Sequence, residues 1–126
     1  DVSGGNVASN LVQSIWYLPF NITIDSVHVW QGADASSGDD VDYSVMSYAI
    51  STANDATGGD LSDGVQVAVS PSTLDPFGYD RALYQSLTVS SANVNSGRVL
   101  VALMKPGSNN SDFTVSMQVV YHLRST

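Results

Sequence analysis

Cysteine is absent from these 126 residues, and so is glutamate; lysine occurs once, as Lys105, and histidine twice. Each gap closes off some chemistry. Without cysteine there is no disulfide framework and no thiolate metal site, and the redox compartment is not written in the chain. Without glutamate there is no H-E-x-x-H zinc helix and no bidentate residue to complete an EF-hand loop. Four basic residues against twelve acidic ones leave a net charge of −8. That balance repels phosphate, gives nucleic acid no footprint and disfavours anionic membrane surfaces. No apolar run approaches membrane-spanning length, and Asp1 to Gly5 lacks signal-peptide character. An opening Asp in place of Met suggests a processed protein or a domain cut from a longer one.

What is present points one way. All twelve acids are Asp, and they come with twenty Ser, seventeen Val and ten Gly. Asp and Ser favour turns because their short side chains bond nearby backbone, while stiff, β-branched Val suits a pleated surface. With 43% hydrophobic residues the chain can build one domain's core without staples. Asp1 to Asn10, rich in Gly and Ser, reads as a flexible arm, and residues 11–124 as a single β-sandwich domain.

The pattern along the chain is one of strands and turns. Leu11 to Leu18 is apolar and ends at Pro19. In "FNITIDSVHVW", Ile22 and Ile24 share one phase and Val27 and Val29 the other, so a bulge or kink is expected near Asp25-Ser26. "VDYSVMSYAI" places Val41, Tyr43 and Val45 on one face and Met46, Tyr48 and Ile50 in the opposite phase. Val65 to Val69 alternates strictly. "SPSTLDPFGYD" is loop by its breakers. Arg81 to Val89 is ambiguous, because Leu83 and Leu87 have helical spacing behind a possible Asp80 cap whereas Leu87 and Val89 alternate. Asn93 to Gly97 makes a turn into "RVLVALM", apolar on both faces as a central strand is. In "FTVSMQVVYHL" the residues Phe113, Val115, Met117, Val119, Tyr121 and Leu123 recur at every second position, which no helix satisfies. Seven or eight strands without a long helix make an antiparallel, jelly-roll-like β-sandwich the expected fold.

Site chemistry is sparse. Asp34, Asp39, Asp40 and Asp42 crowd into "ADASSGDDVDYSV" and could offer oxygens to calcium, but Asp is also the natural residue of a polar turn, and the turn is the preferred reading. "GGDLSDG" has Leu61 where a calcium repeat needs glycine. His28 and His122 sit singly inside strand patterns, there is no G-x-S-x-G elbow, and nothing selects a catalytic pair from twelve aspartates. No enzyme and no cofactor are expected. Among the aromatics, Trp16 and Trp30 are expected to plug the ends of the core, while Phe77 and Tyr79 in the Pro-rich loop could equally be exposed. Asn21 and Asn109 head short glycosylation sequons that are given no weight.

Two stretches, "YLPFNITIDSVHVW" and "SGRVLVALMKPGSNNSDFTVSMQVVYHL", bear a family likeness. An apolar-Pro-Phe opening, an I-x-x-V-x-V strand, a Gly/Asp-rich middle, a Ser-Gly turn, a Pro-Gly hairpin and a closing alternating strand follow in order. From Leu11 to Leu123 the chain resembles the small jelly-roll domains of tailed-bacteriophage structural proteins: tail-fibre or spike tips, head fibres and decoration proteins. The resemblance implies a virion surface domain, homotrimeric, meeting other virion proteins and a host surface glycan. It implies no shared catalytic residues. In such a trimer the uncharged face made by Thr114, Ser116, Gln118 and Val120 could meet a neighbouring subunit. The alternative is an extracellular carbohydrate-binding sandwich, calcium-dependent if the Asp-rich turn holds an ion.

Overall fold

A computed structural model describes residues 11–33, 41–50, 62–75, 81–106 and 113–125. Among them the chain is all-β, with nine strands, seven of which are six residues or longer. In chain order they are β1 (Leu11–Tyr17), β2 (Ile22–Ala33), β3 (Val41–Ala49), β4 (Ser62–Val69), β5 (Arg81–Ser86), β6 (Thr88–Val89), β7 (Asn93–Val94), β8 (Arg98–Pro106) and β9 (Phe113–Leu123). They form two antiparallel sheets. The first has the order β1-β8-β3-β4-β6; in the second, β2 is central, with β9 on one edge and β5 and β7 sharing the other. Arg81 to Val89, the ambiguous stretch, is therefore strand and not helix. Its residues pair β5 with β2 and β6 with β4, and those ladders override the local helical spacing of Leu83 and Leu87.

The core lies between the sheets. Ile22, Ile24, Val27 and Val29 of β2 face Val41, Tyr43, Val45, Val67, Leu100 and Met104 of the other layer, all of them buried. The expected irregularity in β2 is present: Ile24 pairs with Tyr121 and Ser26 with Val120, leaving Asp25 as an extra residue. That bulge lets both halves of β2 point inward although their apolar residues are out of phase. β8 is buried on both faces, as its composition predicts. Leu100 and Met104 join the main core, while Val101 and Leu103 join Met46 and Tyr48 in a second cluster on the outer side of the sheet.

The alternation read into Val65–Val69 does not hold. A second bulge, between the pairs Val45–Ala68 and Met46–Gln66, turns Val67 and Ala68 inward together and leaves Val65 exposed. β9 behaves as an edge strand. Val115, Met117 and Val119 are half-buried on its inner face, but Tyr121 and Leu123, in the same phase, are exposed at its end.

Candidate functional site

The two sides of the sandwich are built differently. On one side the chain passes from β5 in one sheet to β6 in the other and back to β7, tying the layers together. On the other side β1 pairs only with β8 and β9 only with β2 among the described residues, so two strand edges are left free. Between them opens a groove of about 430 Å³ lined by Trp16, Tyr17, Pro19, Phe20, Val119 and Tyr121.

This groove is held firmly from behind. The Leu18 amide donates to the Arg98 carbonyl at 2.9 Å, and the Gly97 amide donates to the Leu18 carbonyl at 2.8 Å. Asn21 fixes the far end. Its side-chain oxygen accepts the Ser96 amide at 2.8 Å and its carbonyl accepts the Arg124 amide at 2.9 Å. Gly97 lies at φ 81°, so the turn that clamps the Leu18–Asn21 segment depends on a residue without a β-carbon. Tyr17 is 59% exposed, Phe20 50% and Tyr121 52%, a cluster of large apolar side chains on an otherwise acidic molecule. Exposed apolar surface gathered into one place marks a contact site more often than scattered residues do.

A second surface lies on the outer face of the β2 sheet. His28 and Trp30, alternating with the buried Val27 and Val29, point outward and meet Tyr84 of β5. The Tyr84 hydroxyl and His28 Nδ1 share a hydrogen bond of 2.6 Å, and Ser26 Oγ bonds the other ring nitrogen at 2.9 Å. The Trp30 and Tyr84 rings are 5.4 Å apart between centroids, tilted at 44°, while His28 and Tyr84 are near parallel at 20°. Polar, uncharged side chains border the cluster. Ser116 pairs across from Trp30, and Gln118 and Ser86 pair on either side of His28.

Other expected site residues are scattered. Asp42 is exposed and accepts a hydrogen bond from Thr73 Oγ1 at 2.9 Å. Asp34, Asp39 and Asp40 lie outside the described residues, as do the 1–10 arm, Phe77 and Tyr79. His122 contacts Asp25 at 2.9 Å on the surface and does not meet His28. Such an exposed pair contributes little to stability.

The expectation for the tryptophans is overturned. Trp16 is 40% and Trp30 44% exposed, so neither plugs the core. Trp30 has its phase set by Val27 and Val29, whose burial on one face forces it onto the other. Trp16 pairs across from Leu100 at the open side, where no further strand among the described residues covers it. The signal for Trp30 was in the alternation, but its partner Tyr84 comes from a strand distant in sequence.

Comparison of the chain with protein-family models, with curated proteins and with solved structures finds no match.

Proposed function

We propose that this chain is a virion structural domain, a capsid decoration or tail-fibre and host-attachment module that works by assembly and surface contact without catalysis. The observation supporting assembly is the aromatic groove between two strand edges that are unpaired among the described residues, on one side of the sandwich. An open edge offers backbone donors and acceptors to another chain, and the groove adds apolar area to the same contact. Because β1 and β9 are different edges, a contact between copies that joins one to the other is head-to-tail, and it closes into a ring when the rotation is three-fold. A homotrimer, the assembly the family resemblance implies, is one such ring. The virion assignment itself rests on the order of motifs in the sequence, and the acidic, Ser-rich exterior suits a crowded particle surface.

Analytical ultracentrifugation tests the assembly. The chain is expected to sediment as a trimer at micromolar concentration, and the double variant Tyr17→Asp, Phe20→Ser as a monomer with an unchanged far-ultraviolet spectrum. A wild-type chain that stays monomeric at high micromolar concentration would remove the reading.

A further inference from the structure

We infer that the outer face of the β2 sheet is a binding site for neutral hexopyranose chains, with Trp30 and Tyr84 as the stacking surface. This goes beyond assembly and uses a different face from the groove.

The argument starts from cost. Trp30 on β2 and Tyr84 on β5 leave about half of their surface in water, at 44% and 52% exposure, although residues beside them on each strand are buried. The Tyr84 ring is nonetheless positioned, and Trp30 packs against it with centroids 5.4 Å apart. Tyr84 is tied by its hydroxyl to His28, and His28 is tied in turn to Ser26, so the imidazole is bonded at both nitrogens. The His28 and Tyr84 rings lie near parallel, 5.8 Å apart between centroids, and together present an aromatic surface. Trp30 rises from it at 44° to Tyr84, making a shallow angled seat. Tyr84 and His28 have little rotamer freedom left to lose when a ligand arrives, which favours binding.

The border selects the ligand class. A pyranose presents C–H groups on one face, which stack on aromatic rings, and hydroxyls around its rim, which need hydrogen-bonding partners. Ser116, Gln118 and Ser86 are exposed at rim positions and offer both donors and acceptors. No charged side chain occupies the register positions paired across from His28 and Trp30. On a chain of net charge −8, phosphorylated, sulfated and nucleic-acid ligands are repelled, whereas an uncharged sugar is not.

The test is calorimetric titration of the intact chain with a panel of soluble neutral hexasaccharides: β-1,4-glucan, β-1,3-glucan, β-1,4-mannan and β-1,4-galactan. At least one is expected to bind. Trp30→Ala and Tyr84→Ala should each weaken that binding tenfold or more. Trp16→Phe, in the groove, should change it less than twofold. Since an aromatic truncation could disturb the sheet, Ser116→Arg provides an independent block: it leaves the rings in place, crowds the rim and is expected to weaken binding tenfold. Binding should persist in the Tyr17→Asp, Phe20→Ser variant, so that failure of assembly and failure of this site are separable. No heat with any of the four sugars overturns the inference. So does binding that survives Trp30→Ala, or binding that Trp16→Phe abolishes.

Discussion

Gly64 shows how much one residue decides in this sheet. Between the pairs Ser47–Val65 and Ala49–Ser62, β4 holds one residue more than β3, and Gly64 sits in that bulge opposite Tyr48. A β-carbon at Gly64 would lie 2.7 Å from Tyr48 Cε1 and 3.2 Å from Cδ1. The Tyr48 ring is 1% exposed and packed in the outer cluster, so it has no room to retreat. Gly64→Ala is expected to destabilise by about 1–3 kcal/mol, the usual cost of overpacking, read as a lower urea midpoint with unchanged slope. Tyr43 makes a different contribution. Its hydroxyl donates to Gln31 Oε1 at 2.5 Å, joining the two sheets inside the core, and burial pushes its pKa above the ordinary tyrosine value. Below about pH 10 both folded and unfolded chains hold the proton, and its contribution is complete. Above that pH the unfolded chain releases the proton while the folded one keeps it, so stability falls as pH rises. Urea midpoints measured at pH 8 and pH 11 should therefore drop for the wild type, and drop by less for Tyr43→Phe, which is weaker at pH 8 by about 1 kcal/mol for the lost bond.

At the scale of the element, the bulge at Asp25 matters more than any single apolar residue of β2. It reconciles Ile22 and Ile24 with Val27 and Val29, which a regular strand would place on opposite faces. Deleting Asp25 puts one half of the strand out of phase and turns two buried residues toward water. The deletion is expected to abolish cooperative thermal unfolding, followed by near-ultraviolet circular dichroism. Asp25→Asn, which keeps the length and alters only the surface contact with His122, should stay within about 0.5 kcal/mol of wild type. A cooperative melt from the deletion chain would show that the sheet tolerates either phase. β9 illustrates the complementary case: its period is intact along all eleven residues, yet its last apolar side chains reach past the facing sheet into solvent.

For the whole molecule, charge and the open edge act against each other. In the proposed assembly, copies with a net charge of −8 repel one another, while the groove and the edges beside it would draw them together. Screening weakens repulsion between exposed charges and leaves apolar contact in place. The trimer expected in sedimentation should therefore tighten between low salt and roughly physiological ionic strength, where the Debye length falls to about 8 Å. An assembly that instead dissociates as salt is added would be one held by ion pairs, against the contact placed at Tyr17, Phe20 and Tyr121.

Much of this architecture follows from periodicity and composition alone. Aspartate without glutamate, the alternation in Phe113–Leu123, the two-faced apolar run at Val99–Met104 and the phase shift at Asp25 are local patterns, and a strand's period of two turns each of them directly into faces. Exposure is different. Trp16 and Trp30 have the hydrophobicity of core residues, and whether such a ring is covered depends on what the facing layer provides at that point. The bulges at Val67 and Gly64 belong to a pair of strands and not to either one, so the even spacing of Val65–Val69 could not reveal them. The meeting of His28, Trp30 and Tyr84 likewise needs β2 and β5, more than fifty residues apart, to be set in register. Apart from bulges that belong to paired strands, the sequence by itself determined which residues alternate, because alternation is a property of the backbone's own geometry. Only the tertiary structure decided which alternating faces stay open to water, because coverage is a property of neighbours.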